Sequence, residues 1–182
     1  MNILNFNCSP VKTGATAFIC DYVCNILKNN NNVKVISIDD YKINYCKGCR
    51  SCHKTAKCIQ EDDVIKIINE YDWADKIISV SPSYWADVPG QFKSLIDRCT
   101  PWSNTHEPHA KLKDNKLGYN IVLRTGPNMK ELERLISTLN HFYGHMGIEA
   151  VDSIGLCSIE YKSDLPDKLN LLDEFCQKMS KL

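Results

Sequence analysis

Ile3 to Leu27 reads ILNFNCSPVKTGATAFICDYVCNIL, and its two halves carry different hydrophobic periods. Ile3-Leu4-Asn5-Phe6 is an apolar run of strand length that stops at Cys8-Ser9-Pro10, where serine and proline mark a turn. Ile19, Val23, Ile26 and Leu27 then recur at helical spacing until the asparagine turn Asn29 to Asn32. A strand, a short polar loop and a helix in that order open a strand-helix-strand unit.

The same alternation continues along the chain. Val33 to Ile38 reads as strand two, and an irregular segment follows from about Asp39 to Gln60. Val64, Ile67, Ile68 and Tyr71 then share one helical face, with Glu61, Asp62 and Asp63 at its positive end. Ile77 to Val80 is strand three, and Pro89 suits the first turn of a helix carrying Phe92, Leu95 and Ile96. Tyr119 to Leu123 is strand four, followed by a helix with Leu132, Leu135, Ile136 and Leu139 on one face. Strand five runs near Ala150 to Ile154, and a final helix spans roughly Asp164 to Lys178. Strict alternation predicts a parallel sheet covered on both faces, a doubly wound α/β domain. Such sheets bind ligands beyond the carboxyl ends of their strands, so the loops after strands one to four are the ones to inspect.

Composition narrows the partners. With 182 residues and 43% hydrophobic content, the chain suits a single domain with its own core, residues 1–182. Twenty-two basic and 22 acidic side chains leave no cationic surplus, which argues against nucleic acid. No basic leader and no apolar run of roughly 20 residues is present, so the expectation is a cytoplasmic protein with no membrane partner. In that compartment thiols stay reduced, and metal or redox use becomes the favoured reading of clustered cysteines.

Three loops carry chemistry. The first, Cys8 to Thr16, supplies hydroxyls, Lys12, Gly14 and a helix N-terminus that favours an anion such as a terminal phosphate, although Ser9, Thr13 and Thr16 also suit plain helix caps. The third, Ser81 to Gly90, places Tyr84 and Trp85 at a strand end, where they cover either a flat ring system or a partner copy. The fourth, Arg124 to Asn128, adds backbone amides and a cation.

Cys46-Lys47-Gly48-Cys49-Arg50-Ser51-Cys52 running on to Cys58 puts four thiols into thirteen residues. Gly48 permits a tight reversal between the first two. Four thiolates on an irregular loop suit an iron-sulfur cluster, zinc is the rival metal, and reduced or disulfide-forming cysteines are the third reading. A loop this long is usually functional or disordered. Cys20, Cys24, Cys99, Cys157 and Cys176 read as packing residues. His141 and His145 have metal-ligand spacing on a helix, but Gly144 suggests that the helix ends there and the dipole accounts for them. His106 and His109 fall in Pro101 to Lys116, a segment of lid or dimer-arm length.

Jointly, Ser9-Pro10 with Gly14 and Thr16, the four-cysteine run with Asp62-Asp63, Pro82-Ser83-Tyr84-Trp85, and Lys93 to Asp97-Arg98 resemble the flavodoxin-like NADPH-dependent FMN reductase family, in its iron-sulfur flavoprotein branch. The resemblance implies a five-stranded sheet in the order 2-1-3-4-5 and an FMN-dependent oxidoreductase. It assigns the FMN phosphate to Ser9, Lys12, Gly14, Ala15 and Thr16, and the flavin ring to Pro82, Ser83, Tyr84, Trp85, Thr125 and Gly126. A 4Fe-4S cluster would sit on Cys46, Cys49, Cys52 and Cys58, in a cysteine-rich loop at about residues 44–60. The implied donor is NAD(P)H or ferredoxin, the acceptor a small molecule or protein, and the assembly a homodimer or higher oligomer. No side chain is assigned a catalytic role, because the cofactor supplies the chemistry. Cys8, Val11 and Ala15 stand where the family commonly has glycine, arginine and asparagine, so weaker phosphate binding is expected. The alternatives are a cluster-free NAD(P)H:FMN or quinone reductase and a zinc-clipped binding module.

Overall fold

The computed structural model describes residues 1–181. Five strands, β1 (Asn2–Asn7), β2 (Asn32–Ser37), β3 (Lys76–Pro82), β4 (Leu117–Leu123) and β5 (Glu149–Leu156), form one sheet in the order β2-β1-β3-β4-β5. Every neighbouring pair is parallel, as the alternation predicts. Parallel pairing needs crossovers, and these run through α1 (Ala15–Leu27), α3 (Val64–Trp73), α4 (Gly90–Arg98) and α5 (Met129–His145). A single turn, α2 (Cys52–Thr55), lies inside the cysteine loop, and α6 (Leu169–Met179) follows β5.

Side chains alternate across the sheet, which divides the core into two layers. Leu4, Phe6 and Ile77 pack with α3, α4 and α5, while Ile3, Ile78 and Val80 pack with α1 and α6. Phe6 meets the edges of Tyr71 and Phe92 at centroid separations of 6.1 and 5.4 Å, fixing α3 and α4 against β1. On the other face, fully buried Asn5 donates to the Cys20 carbonyl at 2.8 Å and pins α1. Two buried lysines also serve the backbone: Lys76 Nζ donates to the Met179 carbonyl at 2.7 Å, and Lys116 Nζ to the Asp72 and Ala74 carbonyls at 2.8 and 2.6 Å. These cations meet the negative ends of α6 and α3.

One helix boundary differs from the sequence expectation. Short 3-10 turns occupy Lys162–Asp164 and Pro166–Lys168, and the final helix starts only at Leu169. The Asp164 carboxylate accepts from the Glu160 and Tyr161 amides to make a separate turn, and Pro166, which has no amide proton to donate, opens the next one. α5 ends at His145, one residue past Gly144, as the sequence suggests, and buried Phe142 and Tyr143 hold its last turn in the core. Gly147 follows the cap, and its φ of +71° lets the Ile148 amide return to the Tyr143 carbonyl at 2.9 Å. Among the described residues, no helix is long and apolar enough to cross a membrane.

Candidate functional site

β1 pairs with β2 on one side and β3 on the other, so the winding of the chain reverses beside it. The loops after β1 and β3 part at such a point, and a cleft of about 180 Å³ opens there. Ser9, Gly14, Ala15 and Thr16 line it from the first loop, Pro82, Ser83 and Tyr84 from the third, and Thr125 with Arg124 from the fourth. Eight of the eleven residues expected at this cofactor site are therefore brought together. The first loop holds its own shape: the Ser9 amide donates to Asn7 Oδ1 at 3.0 Å, and the Ser9 hydroxyl accepts from the Val11 amide at 3.1 Å. Gly14 caps α1 without a side-chain acceptor, leaving the first-turn amides of the helix beside the cleft uncapped. That is the arrangement an anionic group requires.

Lys12, Trp85 and Gly126 are placed outside the lining. Lys12 turns away, its Nζ 2.6 Å from Asp40 and 3.6 Å from Asp39. Trp85 is wholly exposed on a tight turn closed by reciprocal Tyr84 and Asp87 backbone hydrogen bonds of 2.8 and 3.1 Å. Both central residues, Trp85 and Ala86, adopt positive φ of 57° and 61°, a conformation that costs a non-glycine residue about 1–2 kcal/mol. A Cβ on Gly126 would come within 2.6 Å of Arg124 Nη2, so this glycine gives the arginine its room.

Arg124 ties the far wall. Its Nη2 lies 2.8 Å from Glu131 Oε2, its Nη1 donates to the Asn128 carbonyl at 2.8 Å, and the other Glu131 oxygen accepts from the Ser83 hydroxyl at 2.5 Å. Arg124 Nε is buried with no partner among the described residues, which marks an unsatisfied donor beside the cleft. Ile159 and Glu160, from the loop after β5, complete the lining. They are delivered by the Ile159 amide on the Arg124 carbonyl at 2.9 Å and the Ser158 amide on the Gly126 carbonyl at 3.1 Å. Sequence reading stopped at the fourth loop; the implied order, which sets strand five beside strand four, was the available signal.

All ten cysteines are unpaired. Cys46, Cys49, Cys52 and Cys58 line one small cavity together with Gln60, Asp97 and Arg98. Gly48 makes the expected reversal at φ +64°, and Arg50 and Ala56 also take positive φ of 57° and 54°. Backbone strain of this kind persists only where surrounding structure imposes it. Here the neck of the loop does so. The Lys42 amide donates to Asp63 at 2.8 Å, and the Asn44 amide to Asp62 at 2.9 Å. Arg98 donates to the carbonyls of Asn44 and Gln60 and to both Asp62 oxygens. Burial alone would raise the Asp62 pKa, but Arg98 and the Asn44 and Val64 amides outweigh it and hold the carboxyl below its ordinary value.

Burial, reinforced by neighbouring Cys58 and Cys46, raises the Cys52 pKa. The thiols are also widely set. Among the described residues, the set of three metal-type donor atoms lying within 4.8 Å of one another is Cys52, His53 and His106, not any three of the four cysteines. A tetrahedral zinc site with Zn–S bonds of about 2.3 Å needs sulfurs roughly 3.8 Å apart, so this spacing is more open than one ion requires. His141 and His145 share a 2.9 Å Nε2–Nε2 contact near the end of α5, with Asn104 behind His145 at 3.4 Å. Burial pushes the Cys176 thiol up to about 12 and raises those of Cys8, Cys20 and Cys99 as well, consistent with inert packing.

The chain is 34% identical over 124 residues to an iron-sulfur flavoprotein of Archaeoglobus fulgidus, covering 68% of this chain and 54% of that protein. It is 37% identical over 101 residues to an iron-sulfur flavoprotein of Methanocaldococcus jannaschii, covering 54% and 50%. The chain thus spans about half the length of the curated relatives it matches. Among solved structures, a putative quinone reductase from Klebsiella pneumoniae superposes with a TM-score of 0.75 at 16% identity, over 98% of this chain and 85% of that one. An FMN-dependent NADH-azoreductase from Bacillus anthracis, in complex with FMN, superposes at 0.71 and 13% identity, over 98% and 99%. At such identities the two structures share the fold alone. The sequence model of the NADPH-dependent FMN reductases matches residues 1–156, which hold all five strands and both sets of candidate residues up to the end of β5, and the chain belongs to that family.

Proposed function

We propose that this chain is an FMN-dependent oxidoreductase that moves electrons through a flavin held in the cleft at the β1/β3 reversal. The carrying observation is that cleft: uncapped helix amides beside Ser9 and Thr16, an unsatisfied Arg124 Nε, and an aromatic turn at the rim. Ser9, Gly14, Ala15 and Thr16 hold the phosphate. Pro82, Ser83, Tyr84 and Thr125 flank the ring, and exposed Trp85 covers it from the rim. FMN held by these residues would supply two-electron hydride acceptance and one-electron release. The protein's part is to orient the ring and exclude water; Glu131 contributes by bracing Ser83 against Arg124. A roomier cavity of about 630 Å³ lies under the cysteine loop, but Glu61, Asp62 and Asp63 line it and oppose a phosphate.

Cys46, Cys49, Cys52 and Cys58 hold a 4Fe-4S cluster in this reading. Four reduced thiols around one cavity, set wider than a single ion needs, support it. NAD(P)H or ferredoxin supplies electrons, and a small molecule or protein accepts them; the solved neighbours add quinones and azo compounds to the candidate acceptors. Exposed Tyr45, Ile59 and Ile65 around the loop favour a homo-oligomer. Unpaired thiols suit a cytoplasmic setting.

The test is an absorption spectrum with iron, zinc and FMN quantified on protein purified without oxygen. FMN with about four irons per chain is expected, and Cys49→Ser should remove the cluster absorbance while leaving the flavin bands. FMN without iron would favour a plain flavin or quinone reductase, and the absence of both FMN and iron would overturn the proposal.

A further inference from the structure

The arm between Pro101 and Lys116 starts beside the cysteine loop, where Pro101 lines the cavity of the four thiols. Its Ala110 amide donates to the Pro101 carbonyl at 2.8 Å, and Asn104 is anchored on the end of α5 through the His145 and Gly144 carbonyls at 2.9 and 3.0 Å. Those anchors lower His106 onto α2, where its ring stacks on His53 with centroids 4.1 Å apart and planes at 19°. Both His106 ring nitrogens are buried, and neither has a hydrogen-bond partner among the described residues. A neutral imidazole presents one donor and one lone pair, and an imidazolium two donors, so a ring buried with both nitrogens unmet is missing a partner. The Cys52 sulfur is the third member of the cluster: it and the donor nitrogens of His53 and His106 all lie within 4.8 Å of one another.

We propose that Cys52, His53 and His106 form a mononuclear site for a borderline divalent cation of the zinc class. One thiolate and two imidazoles are the donor types such ions select, and three protein ligands leave a fourth position for water. Partly exposed Cys52 loses its proton to solvent as the ion binds, and exposed His53 can turn to close the remaining distance. The site shares Cys52 with the four-thiol set, so the two occupancies exclude each other: an iron cluster draws Cys52 toward the other cysteines, a single ion toward the histidines. The site does not depend on flavin binding.

The test is an anaerobic Co²⁺ titration of the full chain carrying C46S, C49S and C58S, which removes the cluster ligands and keeps Cys52. One Co²⁺ per chain is expected, with tetrahedral ligand-field bands and a thiolate charge-transfer band. Adding His106→Gln or His53→Gln should weaken Co²⁺ binding by at least about tenfold, since even outer-shell changes cost roughly that much. No Co²⁺ bound by the triple variant, or an unchanged affinity and spectrum after His106→Gln, would overturn the proposal. If the triple variant does not fold, the iron-free natural chain and its His106→Gln variant are compared instead. A spectrum that the substitution alters supports the site, and one it leaves intact refutes it.

Discussion

Arg98 and Asp62, 36 positions apart in the chain, form an ion pair whose side chains are only 1% and 4% exposed. The same guanidinium donates to the Asn44 and Gln60 carbonyls and so joins both sides of the cysteine loop's neck.

Removing one partner of a buried ion pair strands the other. Arg98→Ala should therefore destabilise the chain by about 3–5 kcal/mol in urea unfolding. Arg98→Lys should recover little of this, because an ammonium cannot span two carbonyls and a carboxylate as the planar fork does. A loss below about 1 kcal/mol for Arg98→Ala would refute the role of the pair.

The same pair sets an acid limit. Asp62 titrates below its ordinary value in the folded chain, so its stabilisation is present above the unfolded pKa of about 4 and is lost as pH falls through the folded value. The urea midpoint should drop more steeply in the natural chain than in Asp62→Asn between pH 4 and 2, a window set by that direction. Equal acid slopes in the two chains would show that Asp62 is not the titrating group.

Cleft geometry separates residues that sequence reading grouped. Thr16→Val removes a hydroxyl beside the uncapped amides, and a hydrogen bond to a charged group is worth about 1.5–3 kcal/mol, so FMN affinity should fall roughly tenfold or more. Lys12→Ala should change it less than about twofold, since Lys12 is held by Asp40. Isothermal titration of FMN into apoprotein decides both; a large Lys12 effect would mean that the first loop rearranges on binding.

Ala86 sits at φ +61° in the rim turn, where glycine is unstrained. Ala86→Gly should raise stability by about 0.5–1 kcal/mol after the entropy of the added glycine is counted, or about 1–4 °C in melting temperature. A lower melting temperature would show that the turn is not strained as drawn.

Alternation of strand and helix was plain in the sequence because both periods report burial directly: Ile3 and Phe6 alternate across the sheet, while Ile19, Val23 and Leu27 repeat on one face of α1. Gly48's left-handed turn was legible for the same local reason. The helix end beside Gly144 was legible too, but the start of the final helix was not, because the Asp164 turn competes with it.

The sequence by itself determined the parallel α/β class and the four-thiol loop, since these rest on periodicity and short spacings, and its joint motifs resemble the family whose sequence model it matches. Only the tertiary structure decided that Lys12 leaves the cleft, that Ile159 and Glu160 enter it, that Arg98 closes the loop on Asp62, and that His106 descends on Cys52. Each of these joins residues distant in the chain, and periodicity records which face is buried but not what it is buried against.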